Sequence, residues 1–148
     1  MDHTYYMEQA LILAQKAADI NEVPVGCIIV KDDKVVGQGY NTRESSKNAL
    51  AHAELMAIDQ ACKTLGGWRL FGCTLYVTLE PCPMCMGAII NSRIDTVVFG
   101  AKDPKAGCCG SVLQLSECGF NHRPKIISGI LSESCSKILS DFFKSLRM

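Results

Sequence analysis

The segment from residue 73 to residue 100 constrains the fold more than any other part of the chain. An apolar, β-branched run predicts a strand over Cys73–Leu79, and a second such run predicts a strand over Thr96–Gly100. Between them, Pro83–Asn91 has the pattern of a helix. Strands separated by a helix pair in parallel through a right-handed crossover, so we expect a sheet with helices packed on it.

The apolar periodicity on either side of this segment predicts the remaining elements. In chain order these are a helix over about Tyr5–Ile20, a hairpin with strands at Val25–Val30 and Val35–Tyr40, a helix over about Ala53–Leu65, a fifth strand at Lys125–Ser128, and a last helix capped by Ser132 and reaching about Leu146. We therefore predict an α/β fold, a three-layer α/β/α sandwich around a mixed five-stranded sheet, formed by residues 1–148 as a single domain.

Two short motifs contain the residue types that bind zinc. Ala51-His52-Ala53-Glu54 offers an imidazole and a carboxylate, and Pro81-Cys82-Pro83-Met84-Cys85 offers two thiols. Thiols three residues apart in the first turn of a helix lie on one side of it, and proline is well tolerated at that position. Three protein ligands that leave a place for water are typical of a catalytic zinc site, whereas a structural site usually has four.

Glu54 is predicted to be an acid/base group beside the metal. In a regular helix His52 and Glu54 would point to nearly opposite sides, so we place His52 at the entrance of the helix that Glu54 begins. Zinc lowers the pKa of bound water to roughly 7, and a neighbouring carboxylate can transfer the proton. The pattern H-x-E…P-C-x-x-C is typical of zinc nucleobase deaminases. The alternative, a buried histidine with two buried thiols, explains neither the prolines nor the glutamate.

Charge and composition limit the classes of protein to which this sequence can belong. The formal net charge is zero, which neither supports nor excludes nucleic-acid binding. Nine cysteines cannot all form pairs, and the first residues lack the basic start and apolar core of a signal peptide. No apolar run reaches the roughly 18 residues of a membrane span. We therefore predict a cytoplasmic protein with free and metal-bound thiols and no membrane contact.

Over nearly its whole length the sequence resembles the bacterial-type tRNA-specific adenosine deaminases of the cytidine deaminase-like superfamily. Besides the two motifs above, the matching stretches are Pro24-Val25-Gly26, Thr74–Cys82, Asn91-Ser92-Arg93-Ile94, Val97–Asp103, Asn121-His122-Arg123 and the ending Leu139–Lys144. The resemblance implies that zinc is held by His52, Cys82 and Cys85 and that Glu54 shuttles protons. It also implies hydrolysis at C6 of adenine, with release of ammonia and formation of inosine at the wobble position of a tRNA anticodon loop.

The same resemblance implies that Asn41 binds the flipped adenine and that the protein is a homodimer. The apolar run Met86–Ile90, with no second domain to cover it, also favours a dimer. The residues expected to contact the substrate are Asn41, Lys102, Asp103, Lys105, Asn121, His122, Arg123, Phe142 and Phe143. Adjacent helical residues point about 100° apart, so one of the two phenylalanines can pack inward while the other faces RNA. His3 is expected to lie in a disordered terminus.

Two alternative functions remain open at this point. One is deamination of a free base, nucleoside or nucleotide, such as cytidine, deoxycytidylate or guanine, at the same metal site. The other is a non-catalytic zinc module, which needs a fourth protein ligand, and Cys108, Cys109 and His122 are the candidates for that ligand.

Overall fold

A mixed five-stranded sheet forms the centre of the computed structural model, which describes residues 2–147. Its strands are β1 (Gly26–Lys31), β2 (Lys34–Tyr40), β3 (Thr74–Leu79), β4 (Thr96–Ala101) and β5 (Lys125–Ile127), in the spatial order β2-β1-β3-β4-β5. Strand β1 runs antiparallel to both β2 and β3, whereas β3, β4 and β5 are parallel. The predicted mixed sheet is therefore confirmed, including the parallel pair within residues 73–100.

Helices cover both faces of this sheet. They are α1 (His3–Asp19), the short α2 (Arg43–Ser46), α3 (Ala53–Leu65), α4 (Pro83–Asn91) and α5 (Ser132–Leu146), with a 3₁₀ turn at Leu115–Glu117. Alternate residues of each central strand enter different apolar clusters. Leu75 and Val77 join the cluster with α3 and α4, whereas Tyr76 joins the cluster with α1 and α5. This period of two confirms the three-layer α/β/α sandwich.

Helix α3 approaches β2 unusually closely because glycine occupies two positions of that strand. A Cβ at Gly37 would lie 2.3 Å from the carbonyl oxygen of Ala57, and one at Gly39 would lie 2.5 Å from that of Ala53. The helix presents alanines to these glycines, so backbone packs directly against backbone. As a result, the start of α3 lies beside the end of β2, which places His52 near Asn41.

Three local expectations were wrong. Helix α1 begins at His3, because the side chain of Asp2 caps it by accepting from the backbone N–H of Tyr5 at 3.0 Å. His3 is therefore ordered, and its Nδ1 lies 2.8 Å from the hydroxyl of Tyr76. Ser132 is the first residue of α5 rather than its cap, since Leu131 occupies the cap position and no side chain makes the capping hydrogen bond. The short α2 was not predicted.

The run Met86–Ile90 does not form an exposed apolar surface. Met86, Ile89 and Ile90 are buried within their own chain, and the thiol of Cys109 lies 3.7 Å from the sulfur of Met86. The segment after β4 folds back over α4, which the sequence pattern did not reveal. Among the helices of residues 2–147, none is long and apolar enough to cross a membrane.

Candidate active site

The amino-terminal ends of α3 and α4 bring the zinc-binding residue types together. His52 is the residue immediately before α3, and Cys82 is the residue immediately before α4. Both have extended backbones and lie at the end where the helix dipole is positive. Cys85 follows in the first turn of α4, and Pro83 occupies its first position. Two helix starts that favour negative charge thus converge on the two thiols.

The distances within this group fit a single zinc ion. The Nδ1 atom of His52 lies 3.6 Å from Sγ of Cys82 and 3.5 Å from Sγ of Cys85. Ligand atoms at usual zinc distances and tetrahedral angles would be roughly 3.6 Å apart. In the described part of the chain, the only group of three or more His, Cys, Asp or Glu side chains close enough together to share a metal is His52, Cys82 and Cys85.

A fourth protein ligand is absent from this group among residues 2–147. Cys108 and Cys109 do not belong to it. His122 is distant from it and instead places its Nε2 atom 2.7 Å from the carbonyl oxygen of Ile94. The geometry therefore favours an open three-ligand site over the closed site that a non-catalytic zinc module requires.

The two thiols have different proton affinities. A hydrogen bond from Cys85, together with one from His52, lowers the pKa of Cys82 to about 4. The same interaction with Cys82, together with burial, raises the pKa of Cys85. Hydrogen bonding to Cys82 also raises the pKa of His52. Cys82 is therefore a thiolate at neutral pH, which is the form that binds metal.

Glu54 lies in the first turn of α3 and is only 4% exposed. Burial, together with the nearby charge of Cys82, raises the pKa of its carboxyl group to about 7. A group with this pKa exchanges a proton readily near neutral pH, as general acid–base catalysis requires. Glu54 is not part of the metal-binding group.

A cavity of about 210 Å³ opens beside these residues. It is smaller than the roughly 300–1,000 Å³ of pockets for drug-sized ligands, so it suits a single nucleobase. Val23, Val25 and Leu79 provide its apolar lining. Its polar lining comes from His52, Glu54 and Cys82 together with Asn41, Arg43, Glu80 and Asp103.

Known proteins similar to this chain agree with that chemistry. The MafB19-like deaminase family matches residues 1–147. A tRNA-specific adenosine deaminase of Bacillus subtilis (strain 168) is 50% identical over 143 residues, which cover 96% of this chain and 89% of the relative. The corresponding deaminase of Streptococcus pyogenes serotype M18 is 44% identical over 147 residues, covering 99% and 92%. The chain belongs to the tRNA-specific adenosine deaminase family.

Two solved structures are similar to this chain. One, from a study of A-to-I editing by tRNA:A34 deaminases at the wobble position of transfer RNA, is 41% identical with a TM-score of 0.87. The match covers 92% of this chain and 99% of that one. A guanine deaminase from Nitrosomonas europaea has a TM-score of 0.77 at 21% identity, covering 92% of this chain and 81% of its own, and shows the shared fold alone.

In this deaminase Asn41 has one of its two polar atoms already engaged. Its Oδ1 accepts a hydrogen bond from the backbone N–H of Ala53 at 2.8 Å. The amide NH₂ is left as the group that can bind a ligand in the cavity. Asn41 lines the cavity, and its NH₂ group is the donor that it can offer to a base.

The deaminase has a second cavity, of about 420 Å³, that shares Val23, Arg43, Leu79 and Asp103 with the first. We call it the outer groove. Lys102, Lys105 and Phe143 line it as well, and Phe143 is 42% exposed. Phe142 is 8% exposed and lines neither cavity, so it packs inward as a core residue. The expected substrate contact of Phe142 is corrected accordingly.

Asn121, His122 and Arg123 lie away from both cavities of the deaminase. They precede β5, which pairs with β4 from the first residue of β4 onward. The cavities lie beyond the last residue of β4. A six-residue strand spans about 20 Å, so within one chain these residues and the metal group are far apart. Arg123 forms an ion pair with Glu117, and within one chain this placement does not support the expected substrate contacts of the three residues.

Two polar residues that line the base cavity of the deaminase were not predicted from sequence. Arg43, in α2, lines both cavities. Glu80 is buried directly before the Pro-Cys motif; burial would raise its pKa, but hydrogen bonds from Ser111, Asp103 and Cys109 outweigh burial and lower it. Glu80 could have been found from sequence because it directly precedes the Pro-Cys motif. No pattern in the polar segment around Arg43 distinguishes that residue.

Proposed function

We propose that this deaminase converts adenosine to inosine at the wobble position of a tRNA anticodon loop, acting as one domain over residues 1–148. One observation carries the proposal: the open group of His52, Cys82 and Cys85 lies beside a cavity that suits one base and that buried Glu54 also lines. The names of the two relatives described above, both tRNA-specific adenosine deaminases, support the choice of substrate.

The donor set fits zinc, which His52, Cys82 and Cys85 would hold. When bound there, zinc supplies a water whose pKa is low enough to act as a nucleophile at neutral pH. Glu54 accepts a proton from the attacking water and delivers it to the amino group, which leaves as ammonia. The NH₂ of Asn41 donates to an acceptor on the purine edge, and Leu79 packs against the ring.

The outer groove supports an RNA substrate rather than a free base. Anticodon loops present unpaired bases, and extruding an unpaired base from the stack requires the least energy. Arg43, Lys102 and Lys105 line the groove and supply positive charge for flanking phosphates. Phe143 supplies a partly exposed ring for a neighbouring base, where stacking contributes roughly 1–3 kcal/mol. A deaminase of free bases would need neither feature.

We also propose that the protein is a homodimer in the cytoplasm. Four large apolar side chains, those of Leu50, Met56, Val112 and Leu113, are exposed and available to a second copy. Static light scattering at micromolar concentration tests the dimer, and a purely monomeric protein would contradict it. The nine cysteines all lie within residues 2–147 and none of them forms a disulfide, which suits a reducing compartment.

Sequencing of cellular tRNA tests the proposed function in its natural setting. A strain that lacks this protein is expected to show adenosine at wobble positions that contain inosine in the parent strain. Re-expression of the wild-type chain should restore inosine, whereas re-expression of Glu54→Gln should not. Unchanged inosine levels in the strain without this protein would contradict the proposal.

A further inference from the structure

Glu80 has four hydrogen-bond donors around its carboxylate, and all four come from one loop, residues 102–111, here called the cavity loop. Its Oε1 accepts from the backbone N–H of Asp103 at 3.0 Å and from the hydroxyl of Ser111 at 2.5 Å. Its Oε2 accepts from the N–H groups of Cys109 at 2.8 Å and Ser111 at 3.1 Å. Because both oxygens only accept, the group is bound as a carboxylate rather than as an acid.

The cavity loop also packs directly on this carboxylate. A Cβ at Gly107 would lie 2.3 Å from Cδ of Glu80, so glycine is needed for the loop to come so close. Next to it, the N–H of Cys108 donates to the carbonyl oxygen of Pro81 at 2.8 Å. The loop is therefore attached at several points to the segment that leads into Cys82.

Residues of the cavity loop form part of the substrate-binding surfaces. Asp103 and Ala106 line the base cavity, and Lys102 and Lys105 line the outer groove. We propose that Glu80 is a positioning residue, which fixes the cavity loop so that it forms one wall of the base cavity and presents Lys105 to the RNA. This inference rests on the proposed function for its substrate. Glu80 takes no part in proton transfer, because its oxygens are occupied by the loop.

Replacement of Glu80 by glutamine tests the claim. The side chain keeps its size, but its NH₂ group faces loop donors and cannot accept from them. We expect zinc content to be unchanged and amide hydrogen exchange of the cavity loop to be about tenfold faster or more, since hydrogen bonds to charged groups are among the stronger ones. Asp95→Asn is the matched control, because Asp95 accepts one loop N–H, from Gly72, at an exposed turn.

A double-mutant cycle separates positioning from general structural support. If Glu80 acts through Lys105, then Lys105→Ala should reduce kcat/KM on an adenosine stem-loop by a smaller factor in Glu80→Gln than in the wild type. Asp95→Asn should leave the effect of Lys105→Ala unchanged. If the effects of Glu80→Gln and Lys105→Ala simply multiply, Glu80 does not position Lys105, and the inference is overturned.

Ser111→Ala provides a milder test if Glu80→Gln does not fold. It removes the hydroxyl donor and keeps the three backbone donors, so loop exchange should increase by a smaller factor. Wild-type exchange in the loop of a folded variant would overturn the inference. These exchange measurements need no RNA. A wild-type protein that is inactive on the stem-loop would therefore refute the proposed function alone, and loop exchange would still decide the role of Glu80.

Discussion

The side-chain oxygen of Asn41 accepts a hydrogen bond from the backbone N–H of Ala53 at 2.8 Å. Asn41 directly follows β2, and Ala53 is the first residue of α3. The first N–H groups of a helix have no partner within it, and the side chain of His52, although in the cap position, does not provide one. Asn41 therefore caps the helix that carries Glu54 while its NH₂ remains for the substrate.

Asn41→Asp should separate these two roles. Aspartate keeps the oxygen that caps α3 and removes the NH₂ donor, so thermal stability should stay near that of the wild type while kcat/KM falls about tenfold or more. Asn41→Ala should lose activity and also about 0.5–2 kcal/mol of stability, the usual effect of losing a helix cap. An active Asn41→Asp protein would contradict the assignment of the NH₂ group to substrate binding.

Cys82→Ala should lose zinc, as measured by elemental analysis of purified protein. Two remaining ligands hold the ion weakly, and the melting temperature should fall because metal binding is coupled to folding. Cys108→Ala is the matched control, since Cys108 is buried nearby but lies outside the metal-binding group. We expect the control to retain one zinc per chain. Full zinc in Cys82→Ala, or zinc loss in Cys108→Ala, would refute the ligand assignment.

Glu54→Gln should keep its zinc and lose at least about 100-fold in kcat, the lower limit for general acid–base catalysis. The amide preserves the size of the side chain but cannot carry the proton. Glu133→Gln is a suitable control, because Glu133 is also an acidic residue in the first turn of a helix and is exposed. Its turnover should equal that of the wild type. A comparable rate in Glu54→Gln would remove Glu54 from the mechanism.

Phe143→Ala and Phe142→Ala should have opposite phenotypes although the residues are adjacent. Loss of the exposed Phe143 ring should weaken turnover of the stem-loop, mainly through KM, with little change in the free energy of unfolding. Loss of the buried Phe142 ring should destabilise the fold by roughly 3 kcal/mol. Steady-state kinetics and denaturant unfolding measure the two effects. The reverse pattern would show that the RNA-facing ring has been assigned wrongly.

The sequence predicted the parts of the fold and site that depend on local spacing. Alternating residues of β3 and β4 enter different layers, as a period of two requires. The grouping of His52, Cys82 and Cys85 was predicted because each lies at or near a helix start, where His-x-Glu and Cys-x-x-Cys patterns fix the direction of the side chains. These features need only a few consecutive residues to be specified.

Features that depend on distant contacts were missed. The four donors to Glu80 come from residues more than 20 positions later, so no local pattern revealed them. Met86 was expected to be exposed but is covered by the same later segment, through Cys109. Asn121-His122-Arg123 resembled the family in sequence, yet the register of β5 against β4 puts them at the other end of the sheet.

The most direct test of the proposed function is a turnover assay with purified, zinc-loaded protein. The substrates are an anticodon stem-loop with adenosine at the wobble position, the same stem-loop with guanosine there, and free adenosine, cytidine and guanine. We expect inosine in the adenosine stem-loop and no turnover of the other four. Deamination of a free base or nucleoside, with no inosine in the stem-loop, would contradict the proposed function and favour a deaminase of small molecules.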